Sequence, residues 1–142
     1  MIGAILLALH LLAAVLWVGG MAFALLVLRP SLFMLDPLQR LSLHKEVFRR
    51  FFRLVWHVMP IQILTGYALV FLTPGGFAAL PWAINAMQTL GLIMAALFLV
   101  IFFGPWAALR RAGEAQAVER IRRLIAVNLG LGLVTVAVAA FG

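Results

Sequence analysis

A long uncharged run limits what this chain can fold into. Between residues 54 and 109 the sequence contains no Asp, Glu, Lys or Arg. A helix needs about 20 apolar residues to cross the hydrocarbon core of a membrane, so this run is long enough for two crossings. A segment rich in proline and glycine, 74–81, divides the run near its middle, where one helix should stop and the next begin.

The composition of the whole chain agrees with that run. Hydrophobic residues make up 66% and charged residues 11% of the 142 positions, and the mean hydropathy is +1.17. Such values predict an all-α integral membrane protein, a four-transmembrane-helix bundle formed by a single domain of residues 1–142. Asp36 and Pro37 are typical of the N-cap and first turn of a helix that leads into the second crossing. The expected crossings are 2–28, 53–72, 82–104 and 121–141.

The charges predict how the bundle is oriented. All eleven Lys and Arg residues lie in two segments, 29–53 and 110–123. Basic loops stay on the cytoplasmic side of a membrane, so we expect loops 29–52 and 105–120 to be cytoplasmic and both chain ends to lie on the outer, periplasmic side. The expected location is a bacterial inner membrane. The net charge of +7 then serves contacts with the lipid bilayer rather than with nucleic acid.

One histidine, His10, interrupts the first apolar run. It lies about 12 Å from the outer end of its helix, where an unpaired polar group costs several kcal/mol. Helical periodicity places Trp17 and Met21 on the same stripe, which makes Trp17 a candidate cofactor contact. A neutral imidazole at this depth is either a ligand of haem iron or another metal, or a hydrogen-bonding partner of a neighbouring helix.

The third predicted crossing carries two further candidates. It enters from the outer side at Trp82, which brings Met87 and Gly91 close to the depth of His10. The thioether of Met87 is a candidate second axial ligand of haem, and Gly91 would let its helix approach a flat ring. Tyr67, in the second crossing, reaches the same outer half and can donate a hydrogen bond to a cofactor.

His57 is a third candidate metal ligand. It comes one helical turn after Arg53, near the cytoplasmic boundary, so its depth differs from that of His10 by roughly 10 Å. Two axial ligands approach one iron from opposite faces at about 2 Å each. His57 therefore fits a second site or a steeply tilted macrocycle, or else it hydrogen-bonds near the interface.

Several stretches resemble the small four-helix CopD family, named for copper resistance protein D: LHLLAAVLWVGGMAF, FRRFFRLVW with LTGY, FFGPWAALRR and RIRRLIAVNLGLGLVTVAVAA. The likeness covers nearly the whole chain. More distantly, MPIQILTGY and RRLIAVN are similar to HemJ-type protoporphyrinogen oxidases, small membrane bundles thought to bind haem b. His10 matches the key first-helix histidine of that group by position. The third-helix lysine is replaced by Met87, so the resemblance implies haem binding rather than protoporphyrinogen oxidation.

These observations predict a membrane-embedded haem b protein with a redox or electron-transfer role, in which His10 holds the haem. One alternative is copper transport or resistance, with His10 and the methionines Met21, Met87 and Met94 passing Cu(I) along the bundle. The other is a structural membrane module without a cofactor. An enzymatic role would be that of a haem-dependent oxidoreductase. We also expect a homodimer that buries helix faces made of small residues, such as the one with Gly130 and Gly132 in the fourth crossing. A redox partner in the membrane or periplasm is expected as well.

Overall fold

The computed structural model describes residues 1–142 and contains helices and turns but no strand. Its α-helices are α1 (Ile2–Phe23), α2 (Arg29–Ser31), α3 (Pro37–Leu72), α4 (Trp82–Phe103), α5 (Pro105–Ala112) and α6 (Gln116–Ala139). Four stretches are long and apolar enough to cross a membrane, namely Ile2–Met34, Pro37–Leu72, Trp82–Ala112 and Gln116–Ala139. The chain is therefore a multi-pass membrane protein. The predicted all-α fold with four crossing helices is confirmed.

The first crossing is longer and less regular than the predicted helix 2–28. After α1 the backbone widens into a π-helical turn, Ala24–Leu28, then continues through α2 and a 3₁₀ turn to Met34. Pro30 explains why the regular helix is interrupted here, because proline has no N–H to donate and its ring crowds the carbonyl group four residues earlier. The π-helical turn places the residues that follow it at different angles around the helix axis than a regular α-helix would.

The second crossing is part of a 36-residue helix, α3, which begins well before the predicted start at residue 53. Asp36 is its N-cap, and the Asp36 carboxylate accepts a hydrogen bond from the backbone N–H of Gln39 at 2.9 Å. The Gln39 side chain accepts one in return from the backbone N–H of Asp36, which completes a capping box. Pro37 occupies the first helical position, as the sequence predicts.

The last two crossings are joined by the short helix α5. Gly104 separates α4 from α5, which begins at Pro105, and Gly113, with a φ of +65°, ends α5 in a conformation that favours glycine. The fourth crossing helix begins at Gln116, five residues before the predicted 121. Its first turn contains Glu119, which forms an ion pair with Arg122 one turn later. At the end of the bundle that carries the basic segments, the helices therefore extend beyond the apolar segments that cross the membrane.

The bundle is built from two pairs of helices. α1 packs mainly on α3, and α4 packs mainly on α6, where the buried Asn128 donates a hydrogen bond to the carbonyl oxygen of Met94 at 3.2 Å. We call the half near segments 29–53 and 110–123 the basic half. Its core is aromatic, since the Phe52 ring lies 5.3 Å from the Trp106 ring and 5.9 Å from the Phe98 ring, between centroids. The other half, which we call the outer half, contains the candidate site.

Candidate functional site

A cavity of about 340 Å³ lies between the four crossing helices in the outer half. Its lining is mostly apolar and includes residues from all four crossing helices. This volume is at the lower end of the range for sites that bind small organic molecules, which is about 300–1,000 Å³. The cavity is therefore much larger than the gaps of ordinary close packing, and we refer to it below as the outer cavity.

Small residues make room for the cavity and its contents. A Cβ atom on Gly66 of α3 would lie only 3.0 Å from Cε1 of His10, so glycine at this position lets the imidazole ring lie against α3. A Cβ atom on Gly91 of α4 would have no neighbour within 4 Å, because Gly91 borders the open space. The two cavity glycines thus have different effects: Gly66 admits a side chain, and Gly91 leaves volume free.

His10 lines the outer cavity, and α3 holds its imidazole ring on both sides. Nδ1 lies 3.0 Å from the Thr65 hydroxyl oxygen, and Nε2 lies 2.9 Å from the amide nitrogen of Gln62. The Thr65 hydroxyl donates its own proton to the carbonyl oxygen of Ile61, at 2.6 Å. Thr65 must therefore accept from His10, which assigns the ring proton to Nδ1 and the lone pair to Nε2.

This arrangement matches the way proteins prepare a histidine for metal binding. A ligating imidazole is neutral and coordinates through one nitrogen, while its other N–H donates to a fixed acceptor that sets the tautomer and the ring orientation. In His10 the fixed acceptor is Thr65, and the nitrogen left to coordinate is Nε2. The Gln62 amide that donates to Nε2 would have to give way to a metal.

Two other polar atoms in the cavity wall have no partner. The Oε1 atom of Gln62 and the Nε2 atom of Gln88 are buried without a hydrogen bond in the chain, and both residues line the outer cavity. Buried polar atoms are nearly always satisfied by protein, water or ligand, because leaving them unpaired costs free energy. Gln62 and Gln88 thus each carry an unused hydrogen-bonding atom beside the cavity.

The structure brings most of the sequence-predicted site residues together. Trp17, Tyr67, Met87 and Gly91 all line the outer cavity together with His10. Met94 lines it too, with its sulfur 4.0 Å from the hydroxyl of Thr135. Met21, by contrast, is buried in the hydrophobic core and does not border the cavity.

His57 lies elsewhere. Its side chain is exposed on the surface of α3, and its Nδ1 donates a hydrogen bond to the carbonyl oxygen of Arg53 at 2.7 Å. It does not line the outer cavity. No group of three or more His, Cys, Asp or Glu side chains occurs that could hold a metal ion.

Sequence reasoning did not identify Gln62 and Thr65 as the partners of His10. Both are uncharged, and both lie 50 or more residues from His10 in the sequence. A usable signal exists, because Gln62 and Thr65 are three residues apart on a helix that is otherwise apolar at this depth, which places both on one face. A polar pair on one face of a membrane helix needs a partner, and the half-buried His10 is a polar group at a similar depth on the first crossing.

The comparison with protein families gives one match. The family model described as CopD, copper resistance protein D, matches residues 45–141. This range contains most of α3 and all of α4, α5 and α6, so it includes Gln62, Thr65 and both cavity methionines but not His10. No curated protein and no solved structure matches the chain.

Proposed function

The chain belongs to the CopD family, and from that premise we propose that it handles copper within the membrane, with Cu(I) as its cargo and the outer cavity as the binding site. The observation that carries the proposal is the donor set of this cavity. It consists of one imidazole nitrogen, from His10, and the thioethers of Met87 and Met94. Thioether sulfur is a soft ligand that selects Cu(I), and imidazole also suits copper.

His10 supplies the first ligand. Its Nδ1–H is bound to Thr65, so the Nε2 lone pair is available once the Gln62 amide moves away. The exchange replaces one hydrogen bond with one coordinate bond and needs no proton transfer, because the imidazole is already the neutral tautomer that a metal requires. Thr65 keeps the ring in place throughout.

The two methionines supply soft ligands at two depths. Met87 and Met94 are seven residues apart on α4, which places them on the same face about 10 Å apart along the helix axis. Met87 is near the depth of His10, whereas Met94 is close to Val18, two turns further along α1, since a Cβ atom on Gly132 would meet both. Such spacing is suited to two successive positions of one ion rather than to a single coordination shell.

The charge of the cavity favours a monovalent ion. All four acidic residues of the chain, Asp36, Glu46, Glu114 and Glu119, lie in the basic half or its loops, and the chain has no cysteine. The outer cavity therefore offers only neutral ligands. Transferring a charge from water to such a site costs free energy that rises steeply with the charge, so Cu(I) is accommodated more easily than Cu(II).

A competition titration tests this proposal. The purified protein, in a non-ionic detergent under anaerobic reducing conditions, competes with a coloured Cu(I) chelator. We expect about one Cu(I) per chain, and binding at least tenfold weaker in His10→Ala and in Met87→Leu. Met59→Leu is the matched control, because Met59 is a buried methionine outside the cavity. Equal binding by all four proteins would refute the site.

A second function is supported by a different observation, the size of the cavity. The outer cavity is larger than one ion requires, Gly91 borders open space, and the Gln88 amide lacks an acceptor. These features suit an organic cofactor with a polar edge, and haem b is the cofactor that fits the His10 and Met87 donor pair. His10 and Met87 would hold such a haem, and Trp17, Tyr67 and Gly91 would lie beside it in the cavity wall. Bound haem would supply one-electron redox chemistry.

An absorption spectrum separates the two functions. Protein purified from cells with an ample haem supply is measured together with its copper content. A Soret band that is lost in His10→Ala selects the haem function, and stoichiometric copper without that band selects copper handling. A colourless, metal-free protein that does not take up Cu(I) in the titration would refute both and leave a structural module.

A further inference from the structure

A second cavity, of about 230 Å³, lies at the basic end of the bundle. It is bounded by the π-helical turn Ala24–Leu28, the first turns of α3 and the start of α6. We call it the basic pocket. Its lining brings together three arginines that are far apart in the sequence, Arg29, Arg40 and Arg122.

Two of these guanidinium groups are held by the protein. Arg40 donates to the carbonyl oxygens of Leu32 and Leu35, and its guanidinium lies 4.9 Å from the centre of the Phe33 ring. Arg122 forms a two-bonded ion pair with Glu119. Fixed guanidinium groups lose little side-chain entropy when they bind an anion, because their geometry is set beforehand.

Arg29 is different, since it makes neither a hydrogen bond nor an ion pair with another side chain. It is nevertheless half-buried and lines the pocket beside Arg40 and His44. The π-helical turn directly before Arg29 sets the direction in which this side chain leaves the helix. π-helical turns are rare in proteins, and those that do occur are often found at functional sites. A partly buried guanidinium with all its donors free calls for an anion.

The charges that face the pocket leave it strongly positive. Hydrogen bonds from Arg122 lower the pKa of Glu119 to about 2, so this carboxylate, which precedes the apolar crossing, is ionised at neutral pH. Burial, together with the charges of Arg40 and Arg29, lowers the pKa of His44, which keeps that imidazole neutral. Three guanidinium groups against one carboxylate leave two positive charges.

The rest of the pocket is apolar. Ala24, Leu25 and Leu28 precede Arg29 on the first crossing, and Ile125 follows Arg122 on α6, so all four lie on the membrane side of the arginines. A free phosphate ion would leave this apolar part uncovered. A ligand with an anionic head and a hydrocarbon tail would satisfy both parts, because its head meets the guanidinium groups and its tail meets the leucines.

We propose that the basic pocket binds a phosphate group, and that the phosphate belongs to an anionic phospholipid of the adjacent leaflet. Guanidinium groups bind phosphate oxygens through paired N–H donors. An anionic phospholipid, unlike a zwitterionic one, also carries a net negative charge that offsets the positive charge of the pocket. Each Arg near an anionic membrane surface contributes about 1 kcal/mol, equivalent to about a fivefold change in affinity. Arg29, which has no other partner, is the residue on which binding depends most.

Native mass spectrometry of the purified full-length protein in a non-ionic detergent tests the proposal. The protein is mixed with phosphatidylglycerol or, separately, with phosphatidylcholine. We expect wild-type protein to retain phosphatidylglycerol in preference to phosphatidylcholine, and Arg29→Gln to bind phosphatidylglycerol about fivefold more weakly. Arg111→Gln is the matched control, because Arg111 is exposed on the same end of the bundle, lies outside the pocket and carries the same charge. Equal loss of binding in Arg29→Gln and Arg111→Gln would overturn the proposal.

Two further measurements test the pocket independently of Arg29→Gln, in case that variant does not fold. Ala24→Leu fills the apolar part of the pocket without changing a charge, so it should weaken phosphatidylglycerol binding. A thermal-shift measurement with millimolar inorganic phosphate covers the other source of the anion. Stabilisation by inorganic phosphate that depends on Arg29, with no lipid retained, would keep the anion site but refute the phospholipid. Equal retention of both lipids by the wild type, without a phosphate effect, would refute the site itself.

Discussion

The basic half and the outer half of this bundle differ in how their centres are packed. The basic half contains the basic pocket but also a closely packed aromatic cluster, in which Phe52 is only 1% exposed and contacts Phe98 and Trp106. In the outer half the same four helices surround a cavity of about 340 Å³. Side-chain size contributes to the difference, because the wall of the outer cavity includes the glycines Gly66 and Gly91.

The contrast bears on the proposed role of the outer cavity. The aromatic cluster of the basic half shows that these helices can pack closely where large side chains meet. An apolar cavity that remains empty forfeits van der Waals contacts and costs free energy in proportion to its volume. A large cavity next to an aromatic cluster, with His10 held in one tautomer at its wall, therefore supports the proposal that the cavity binds a ligand.

The variant with the largest expected effect on stability is Phe52→Ala, which would open a cavity in the aromatic cluster of the basic half. Removing a fully buried phenyl ring should lower the free energy of unfolding by about 3–5 kcal/mol. Unfolding of the purified protein, followed by loss of helical circular dichroism in detergent, measures this effect. A loss below about 1 kcal/mol would mean that the aromatic core does not stabilise the bundle.

Gly66→Ala should have the next largest effect, because it adds an atom where the outer half is tight. The new Cβ would lie 3.0 Å from Cε1 of His10, so the ring must shift away from Thr65 and Gln62. We expect a destabilisation of about 1–3 kcal/mol and weaker Cu(I) binding. Unfolding and the chelator titration measure the two effects. Unchanged Cu(I) binding would show that the position of the ring is not important.

Thr65→Val should change function more than stability. It removes the acceptor of the His10 Nδ1–H but keeps the shape of the side chain. The expected loss of stability is about 1 kcal/mol, whereas loss of a partner that orients a metal ligand typically weakens binding by about 10–100-fold. The same titration measures it. Thr65→Ser, which keeps the hydroxyl, is the control and should bind Cu(I) as the wild type does.

Gly91→Ala should have the smallest effect and the opposite sign. The added methyl group meets no atom within 4 Å, and alanine is the better helix former by about 0.5–1 kcal/mol. A small gain in unfolding free energy is therefore expected. Together with Gly66→Ala this gives the same substitution on two sides of one cavity. Destabilisation by Gly91→Ala would mean that the space beside Gly91 is not open.

The sequence determined the architecture well, because membrane crossing depends on local properties. The uncharged run 54–109 and the break at 74–81 are visible without coordinates, and so is the Asp36–Pro37 helix start. The interruption of the first crossing was less visible, since Pro30 announces an irregularity but not whether the helix kinks, ends or widens.

The site could be predicted only in part. His10 was identified because an ionisable group deep in an apolar run is unusual, and Met87 because helix depth can be counted from Trp82. The partners Gln62 and Thr65 depend on which face of α3 meets α1, which no local pattern specifies. The cavity itself was not predicted, because hydropathy reports how apolar a residue is and not how much space it fills.

The division of the bundle into two helix pairs has a mechanical consequence. His10 is tied to α3 within the first pair, whereas Met87 and Met94 belong to α4 in the second pair. An ion or cofactor bound by donors from both pairs would link the two pairs, and its release would leave them free to move relative to each other. The His10 imidazole would then move together with α1 and α3, so the distance that changes is the one from His10 to the methionines of α4.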